Sequence, residues 1–514
     1  MAGVSAVAPF DTRRAPLPGQ VWRAVGALHA AGALLDAAVH SLSAEMANRS
    51  DSLATPDTAA LPQRAAKAAP RLAGGWPLIG QLPEFQRDPV AMLSRGWREH
   101  GDLFRFRIGP RDFALFTGPE AHDFYFRAPE EQLNAKAVYR FTVPIFGRGV
   151  AYDTSPEIMS EQLGFLFPAL REANMRRFAL IMFDEARRFA DDLGDGGEID
   201  LPQALNELTV RIASRSLIGQ EVRDRVDTGF AEAYRDLQNG INVLGFFLPR
   251  LPTAAHRSRD RARRKVADIF SGIMAERRKS GADPDDFMQT LMNARYKDGR
   301  ALTDDEITGI LLTVLFAGQH TSAVLATWTG LELLRAPAYV ERIRDEAREV
   351  YGEAGAMSFD SLQRQPAMEN AVRECERLHP PLILLVRKVL EPLRYGGRVV
   401  PAGTMAMVSP AVSHRLPHIF ADPERFDPDR FAPPACEDRQ HHYALIGFGG
   451  GKHACMGKNF AYMQLKAIWT VLLDRFDFVL DGEFPRPNYG SWVTGPETPC
   501  RVRYRRRPEP SVFR

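Results

Sequence analysis

Along most of this chain apolar residues recur at spacings of three and four, the period of a helix with one buried face, and only short stretches alternate. The strongest helical signal opens at Thr303. In Thr303-Asp304-Asp305-Glu306 the threonine and the glutamate can each accept a backbone N–H of the first turn, a capping box. Apolar residues follow at Ile307, Ile310, Leu311, Val314, Leu315 and Leu325, and Pro337 stands just past the natural stop. A helix of about 30 residues is therefore predicted, where the mean is about 12. A helix of that length runs through the middle of a domain. Its centre, Ala317-Gly318-Gln319-His320-Thr321-Ser322, sets a glycine and several polar groups on an apolar rod. Taken alone this is an ordinary weak point, a satisfied buried histidine, or a place where chemistry needs polar groups.

The β signal is smaller. Leu103 to Ile108 alternates, turns through Gly109-Pro110-Arg111-Asp112 and resumes as Phe113-Ala114-Leu115-Phe116-Thr117-Gly118, which predicts a hairpin. From Ser43 to Arg71 the chain is rich in Ala, Ser, Pro and charge with little periodicity, so residues 1–69 are expected to be a leader and 70–514 one large domain. The fold class expected is mainly α with a minor β portion. Between Val21 and Val39, Val21, Val25, Leu28, Leu35 and Val39 keep helical spacing, but Arg23, His29 and Asp36 interrupt the roughly 20 apolar residues that a membrane span needs. Three readings of this stretch stay open, a helix lying on a membrane surface, a helix packed on the protein, and partial disorder. The first residues lack a basic start followed by an apolar run, so a cytoplasmic location is expected, with no transmembrane span.

Composition changes this picture little. Of 514 residues, 45% are hydrophobic and 25% charged, which suits a packed core and argues against extended disorder. Lys and Arg number 66 against 64 Asp and Glu, a balance that offers no general reason to bind nucleic acid. Cys375, Cys436, Cys455 and Cys500 fit neither a disulfide framework nor a Cys-x-x-Cys metal site, and point to a reducing compartment.

One cysteine stands in an unusual setting. In Phe448-Gly449-Gly450-Gly451-Lys452-His453-Ala454-Cys455-Met456-Gly457, three consecutive glycines let backbone turn sharply and approach a flat ligand closely. A thiolate bound to haem iron needs backbone N–H groups near its sulfur, an apolar shield such as Phe448, and a following helix, here Asn459 to Leu473. Further back, Glu374-Cys375-Glu376-Arg377 precedes His379-Pro380-Pro381, and spacing of three puts Glu374 and Arg377 on one helix face, where they can form a partly buried ion pair.

With these motifs the chain resembles the cytochrome P-450 superfamily. Pro428-Asp429-Arg430-Phe431 matches the segment whose arginine that family adds to the pair, here Arg430. The segment from Tyr139 to Asp153, Ala317-Gly318-Gln319-His320-Thr321-Ser322, His453 in the cysteine loop, and the stretches Leu378 to Lys388 and Asn459 to Trp469 are most similar to the sterol 14-alpha demethylases. The resemblance runs from about Pro70 to Arg507. It implies haem b with Cys455 as the iron ligand, shielded by Phe448 and Gly449, and Tyr139, Arg176, Arg387 and His453 as partners of the propionates. It also implies that Gly318 makes room for dioxygen, that Thr321 hydrogen-bonds it, and that His320 relays protons. Phe141, Phe146, Tyr152, Ala317, Leu382, Leu384 and Trp492 would line an apolar substrate pocket, and Phe141 implies a sterol with one methyl at carbon 4. The implied reaction removes the 14-alpha methyl group in three successive oxidations.

Electrons would come from NAD(P)H through a separate ferredoxin or flavoprotein reductase, for which Lys452 and Lys458 offer an acidic partner a docking point. Departures from the family's pattern keep two rivals open, a hydroxylase of another lipid such as a fatty acid and a haem sensor without turnover. Ala454 replaces a usual arginine, Trp492 is bulky, Ala323-Val324-Leu325-Ala326 replaces a Ser/Thr-rich run, and Asn239 to Phe247 differs where substrate normally touches.

Overall fold

The protein is described by a computed structural model over residues 67–225, 228–240, 253–352, 357–508 and 512. The apolar stretch from Val21 to Val39 and most of the Asn239 to Phe247 segment lie outside the described residues. Of the expected leader only residues 67–69 are described, and they already belong to the fold. Lys67 and Ala68 pair in parallel with Arg398 and Val399, and Ala69 is buried.

The predicted central helix spans Asp304–Leu334, 31 residues, with the capping box formed as expected between Thr303 and Glu306. Its buried residues run all the way round the rod, so it is surrounded instead of lying on a surface. Among the described residues it is the one helix long and apolar enough to cross a membrane, but it is core here. The helices Leu201–Leu217, Pro366–Leu378 and Lys458–Arg475 pack against it. Close approach is needed where Trp469 crosses it. The indole N–H donates to Ala326 O at 2.8 Å, and a β-carbon on Gly330 would collide with the ring.

To one side lies a five-stranded sheet in the order Leu103–Ile108, Arg111–Phe116, Met405–Val408, Leu385–Val389, Leu133–Asn134. The hairpin forms, with a tighter turn than the sequence pattern predicts. Ile108 pairs with Arg111 and Arg107 with Asp112, so only Gly109 and Pro110 turn, Gly109 taking a φ of 55°. Two three-stranded sheets, Lys67–Ala68 with Arg398–Val400 and Leu393–Tyr395, and Phe476–Leu480 with Arg501–Arg506 and Gly196–Asp200, complete the β portion.

The Glu374–Arg377 pair is wholly buried, deeper than its spacing alone implies. Glu374 accepts from Arg377 at 2.7 and 2.9 Å, from Arg430 at 3.0 Å, and from the Asp427 backbone N–H at 2.8 Å. Arg377 also donates to the carbonyls of His414, Pro423 and Arg425, and Arg430 pairs with Glu437 at 2.6 Å. Four donors on one carboxylate offset the desolvation that a buried charge costs. His414 carries the knot onward. The Ile446 N–H donates to its Nε2 at 2.8 Å, which leaves the ring proton on Nδ1, facing Arg377 O at 3.3 Å.

Two outcomes follow from this packing. Glu374→Ala leaves two arginines facing each other in the core, and loses about 3–5 kcal/mol of stability in urea denaturation. Burial holds His122 and His320 down at about 4, against an ordinary 6.5. Because the unfolded chain then takes up these protons first, stability is fully present above about 6.5 and declines as pH falls toward about 4. A thermal midpoint that stays flat across that window would contradict it.

Candidate active site around Cys455

The loop leading to Cys455 is shaped by its glycines. Gly449 adopts a φ of 71°, its N–H donating to Ile446 O at 2.9 Å, and the Cys455 N–H donates to Phe448 O at 2.9 Å. A β-carbon on Gly450 would lie 2.7 Å from the rings of Phe126 and Tyr443. The helix Lys458–Arg475 begins directly after Gly457 and fixes the end of the loop.

Cys455 is accessible and lines a cavity of about 310 Å³. Burial pushes its thiol up, the Gly457 N–H opposes that, Glu376 adds to it, and Lys458 offsets it. The central helix supplies Ala317, Thr321, Ser322 and Leu325 to the lining. Pro381, Leu382, Leu385 and Val386 line it after the buried ion-pair helix, and Tyr139, Arg387 and His453 line it as well.

These residues fit an iron porphyrin. Among the described residues no group of three or more His, Cys, Asp or Glu could hold a metal ion, so a metal here would rest on the single Cys455 sulfur within its own organic ring. Arg387 is buried with no carboxylate within 4 Å among the described residues. Its guanidinium donates to Tyr125 O at 3.3 Å and lies over the rings of Tyr125 and Phe126. Such a cation is costly unless an anion completes it, as a propionate would. His453 Nε2 meets Glu130, whose carboxyl is held below its ordinary range by His453 and Arg387 against the opposing effect of burial.

The other predicted site residues divide. Phe448, Gly449, Tyr152, Ala317, Thr321 and Leu382 line the cavity together with Cys455. Arg176 does not join them. It sits on the outer face of the helix Glu172–Asp192, bridged to Glu172 at 2.8 Å and Asp360 at 2.6 Å, while Met175 and Phe178 on the inner face are buried. The helical period sends a residue between those two outward. Gly318 serves a helix crossing, since a β-carbon there would lie 2.8 Å from Leu217. His320 is outside the lining and held neutral by burial. Phe141 and Trp492 pack on each other with centroids 4.9 Å apart, Phe146 packs on Phe316, and Leu384 joins the core beside the sheet.

Sequence reasoning missed Tyr125, Phe126, Glu130, Gln162 and Glu376. Nothing local marks Tyr125 and Phe126, because the helix Pro119–Arg127 reaches the cavity only through tertiary packing, and the roles of Glu130, Gln162 and Glu376 likewise rest on partners distant in the chain. Gln162 clamps the segment that carries Tyr152. Its amide donates to Gly149 O at 2.7 Å and accepts from the Ala151 N–H at 3.2 Å. It also donates to the Tyr296 hydroxyl at 3.0 Å, which in turn donates to Glu306 at 3.1 Å on the capping box. Gln162→Leu strands these groups, and it lowers stability by about 1–3 kcal/mol with faster hydrogen exchange at Ala151. Unchanged exchange there would show that the clamp does not hold the segment.

Comparison with known proteins bears on the whole described domain. The cytochrome P-450 family model matches residues 70–501. A sterol 14-demethylase of Arabidopsis thaliana is 37% identical over 449 residues, covering 86% of this chain and 92% of its own. A sterol 14alpha-demethylase of Mycobacterium tuberculosis is 38% identical, covering 86% and 99%, and a lanosterol 14-alpha demethylase of Bos taurus is 36% identical, covering 86% and 88%. A solved cyanobacterial structure with retinoic acid bound superposes with a TM-score of 0.77 at 23% identity, covering 86% of this chain and all of that one, and shows the shared fold. With a glycine-shaped thiolate loop, a central helix across the cavity and a family match over nearly the whole described domain, the chain belongs to the cytochrome P-450 family and is a haem monooxygenase.

Proposed function

We propose that this enzyme removes the 14-alpha methyl group of a sterol by three successive oxidations. The observation that carries the reading is the even similarity, 36–38% over 86% of the chain, to sterol demethylases of a plant, a bacterium and an animal. Haem b on Cys455, when bound, supplies the oxidising chemistry with electrons from NAD(P)H through a separate ferredoxin or flavoprotein reductase.

The chain's own residues hold and serve that group. Cys455 gives thiolate donation, and Tyr139, Arg387 and His453 receive the propionates. Thr321, whose hydroxyl donates to Ala317 O at 2.7 Å, lines the cavity and would supply a hydroxyl there to hydrogen-bond dioxygen. His320, held neutral, takes a proton and passes it on without keeping a charge in the apolar helix. Gly318 keeps the helix centre free of a side chain. Tyr152, Ala317 and Leu382 give the substrate an apolar wall, with the tilted Phe141–Trp492 pair packed against Tyr139 beside it, and buried apolar area is what binds a tetracyclic lipid.

Lys452 and Lys458 are exposed on either side of Cys455 and suit an acidic electron donor. Contact with a lipid surface is supported by Trp76 and Leu78, large apolar side chains that are 66% and 72% exposed.

The test is an optical titration of the ferric protein with lanosterol, a sterol carrying one methyl at carbon 4, and a long-chain fatty acid, followed by assay of formate. The expected outcome is a saturable high-spin shift with the sterols and formate release on turnover. A shift with the fatty acid alone would replace this reading with hydroxylation of another lipid.

A further inference from the structure

Glu376 is a second buried acid on the ion-pair helix, and neither the Glu374 knot nor the proposed proton relay uses it. Two residues along a helix turn a side chain by about 200°, so Glu376 faces away from Glu374 and toward the cysteine loop. It is 2% exposed and lines the same cavity as Cys455. A β-carbon on Gly447 would lie 2.5 Å from its Oε1, so the loop passes directly over the carboxyl.

Its partners are few. The Tyr462 hydroxyl donates to it, the Gly447 backbone hydrogen-bonds to it, and no cation lies within 4 Å among the described residues. Tyr462 is itself buried, with its ring edge-on to Phe448 at 5.4 Å. Lys458 Nζ stands 5.4 Å from the Tyr462 ring and 5.8 Å from that of Phe448. On its other side Tyr462 lines a cleft of about 430 Å³ with Met175, Phe359, Glu369 and Lys466. The cleft, the phenol, the carboxyl and the cysteine thus form one continuous series.

We propose that Glu376, held by Tyr462, is a positioning residue that sets how readily iron bound to Cys455 is reduced. Burial pushes the Glu376 carboxyl up, and Lys458, the Tyr462 hydroxyl, Arg373 and the Gly447 backbone oppose that. In its ionised form the carboxyl puts negative charge near the thiolate, which favours the ferric state over the ferrous, because the ferrous site carries one more electron in a medium that screens poorly. The hydrogen bond from Tyr462 keeps the carboxyl against the loop and blunts its charge. This inference rests on the haem-thiolate reading.

The experiment is spectroelectrochemical titration of the haem-loaded full chain, wild type against Glu376→Gln and Tyr462→Phe, with no protein donor present. Wild type first has to show the red-shifted band of a thiolate-ligated ferrous carbon monoxide complex. Failure there would overturn the haem-thiolate reading itself. Glu376→Gln is then expected to shift the midpoint potential upward with that band retained, and Tyr462→Phe, which removes the donor that blunts the charge, to shift it downward. A merely structural role would lower haem content or melting temperature and leave the potential of the loaded fraction in place. An unmoved potential in the variants that load haem, or a downward shift in Glu376→Gln, would overturn the proposal.

Discussion

The carboxylate of Glu374 carries more of this structure than any other single group. It is removed from water completely, and an ion in that position is tolerable only while several donors point at it. Arg377, Arg430 and the Asp427 N–H meet that need together. Three stretches of chain, the helix Pro366–Leu378 and the segments around residues 414–430 and 437, are thereby held at one point. From there the neutral ring of His414 passes the constraint to Ile446, at the entrance to the cysteine loop. The position of the Cys455 sulfur therefore depends on a charge interaction in which the cysteine takes no part.

The opposite wall obeys a different rule. The central helix is buried on all sides, so its side chains are chosen by packing, and Gly330 and Gly318 are places where a neighbour comes too close for a β-carbon. Several polar groups on this rod are satisfied within the protein or line the cavity, while the Thr308 hydroxyl is buried without a hydrogen-bond partner among the described residues. Gln319 donates to Asn206 at 2.6 Å, away from the cavity, while Thr321 turns back on Ala317 O. A neutral His320 suits the same environment, since a charged ring there has no ion-pair partner among the described residues to offset its burial. Rigidity on the cysteine side and controlled polarity on the helix side together make one cavity suited to a reactive group that must be kept from bulk water.

Much of this was legible in the chain, and for identifiable reasons. The capping box, the helical period and the glycine-rich loop act over a few residues, so Thr303, Glu306, Gly449 and Cys455 announce their local structure directly. The hairpin was legible in its strands and not in its turn, because pairing of Arg111 with Ile108 is decided by strand register and not by composition. Arg176 shows the limit from the other side. A cation on a helix can serve a buried anion or a surface carboxylate, and only the facing of that helix decides, here for Glu172 and Asp360.

By itself the amino-acid sequence made legible the class of fold, the place of the central helix, the glycine-rich loop around Cys455 and the pairing of Glu374 with Arg377, because each of these is written in spacing and residue type along the chain. Tertiary structure alone decided which side chains share the cavity. Arg387, Tyr139 and His453 come together there with Tyr125 and Phe126, while Phe141, Phe146 and Leu384 turn into the packing behind it. The physical reason is that a cavity is bounded by residues far apart in the chain. Whether each faces the space or the core is settled by helix rotation and strand register, which depend on every neighbour at once.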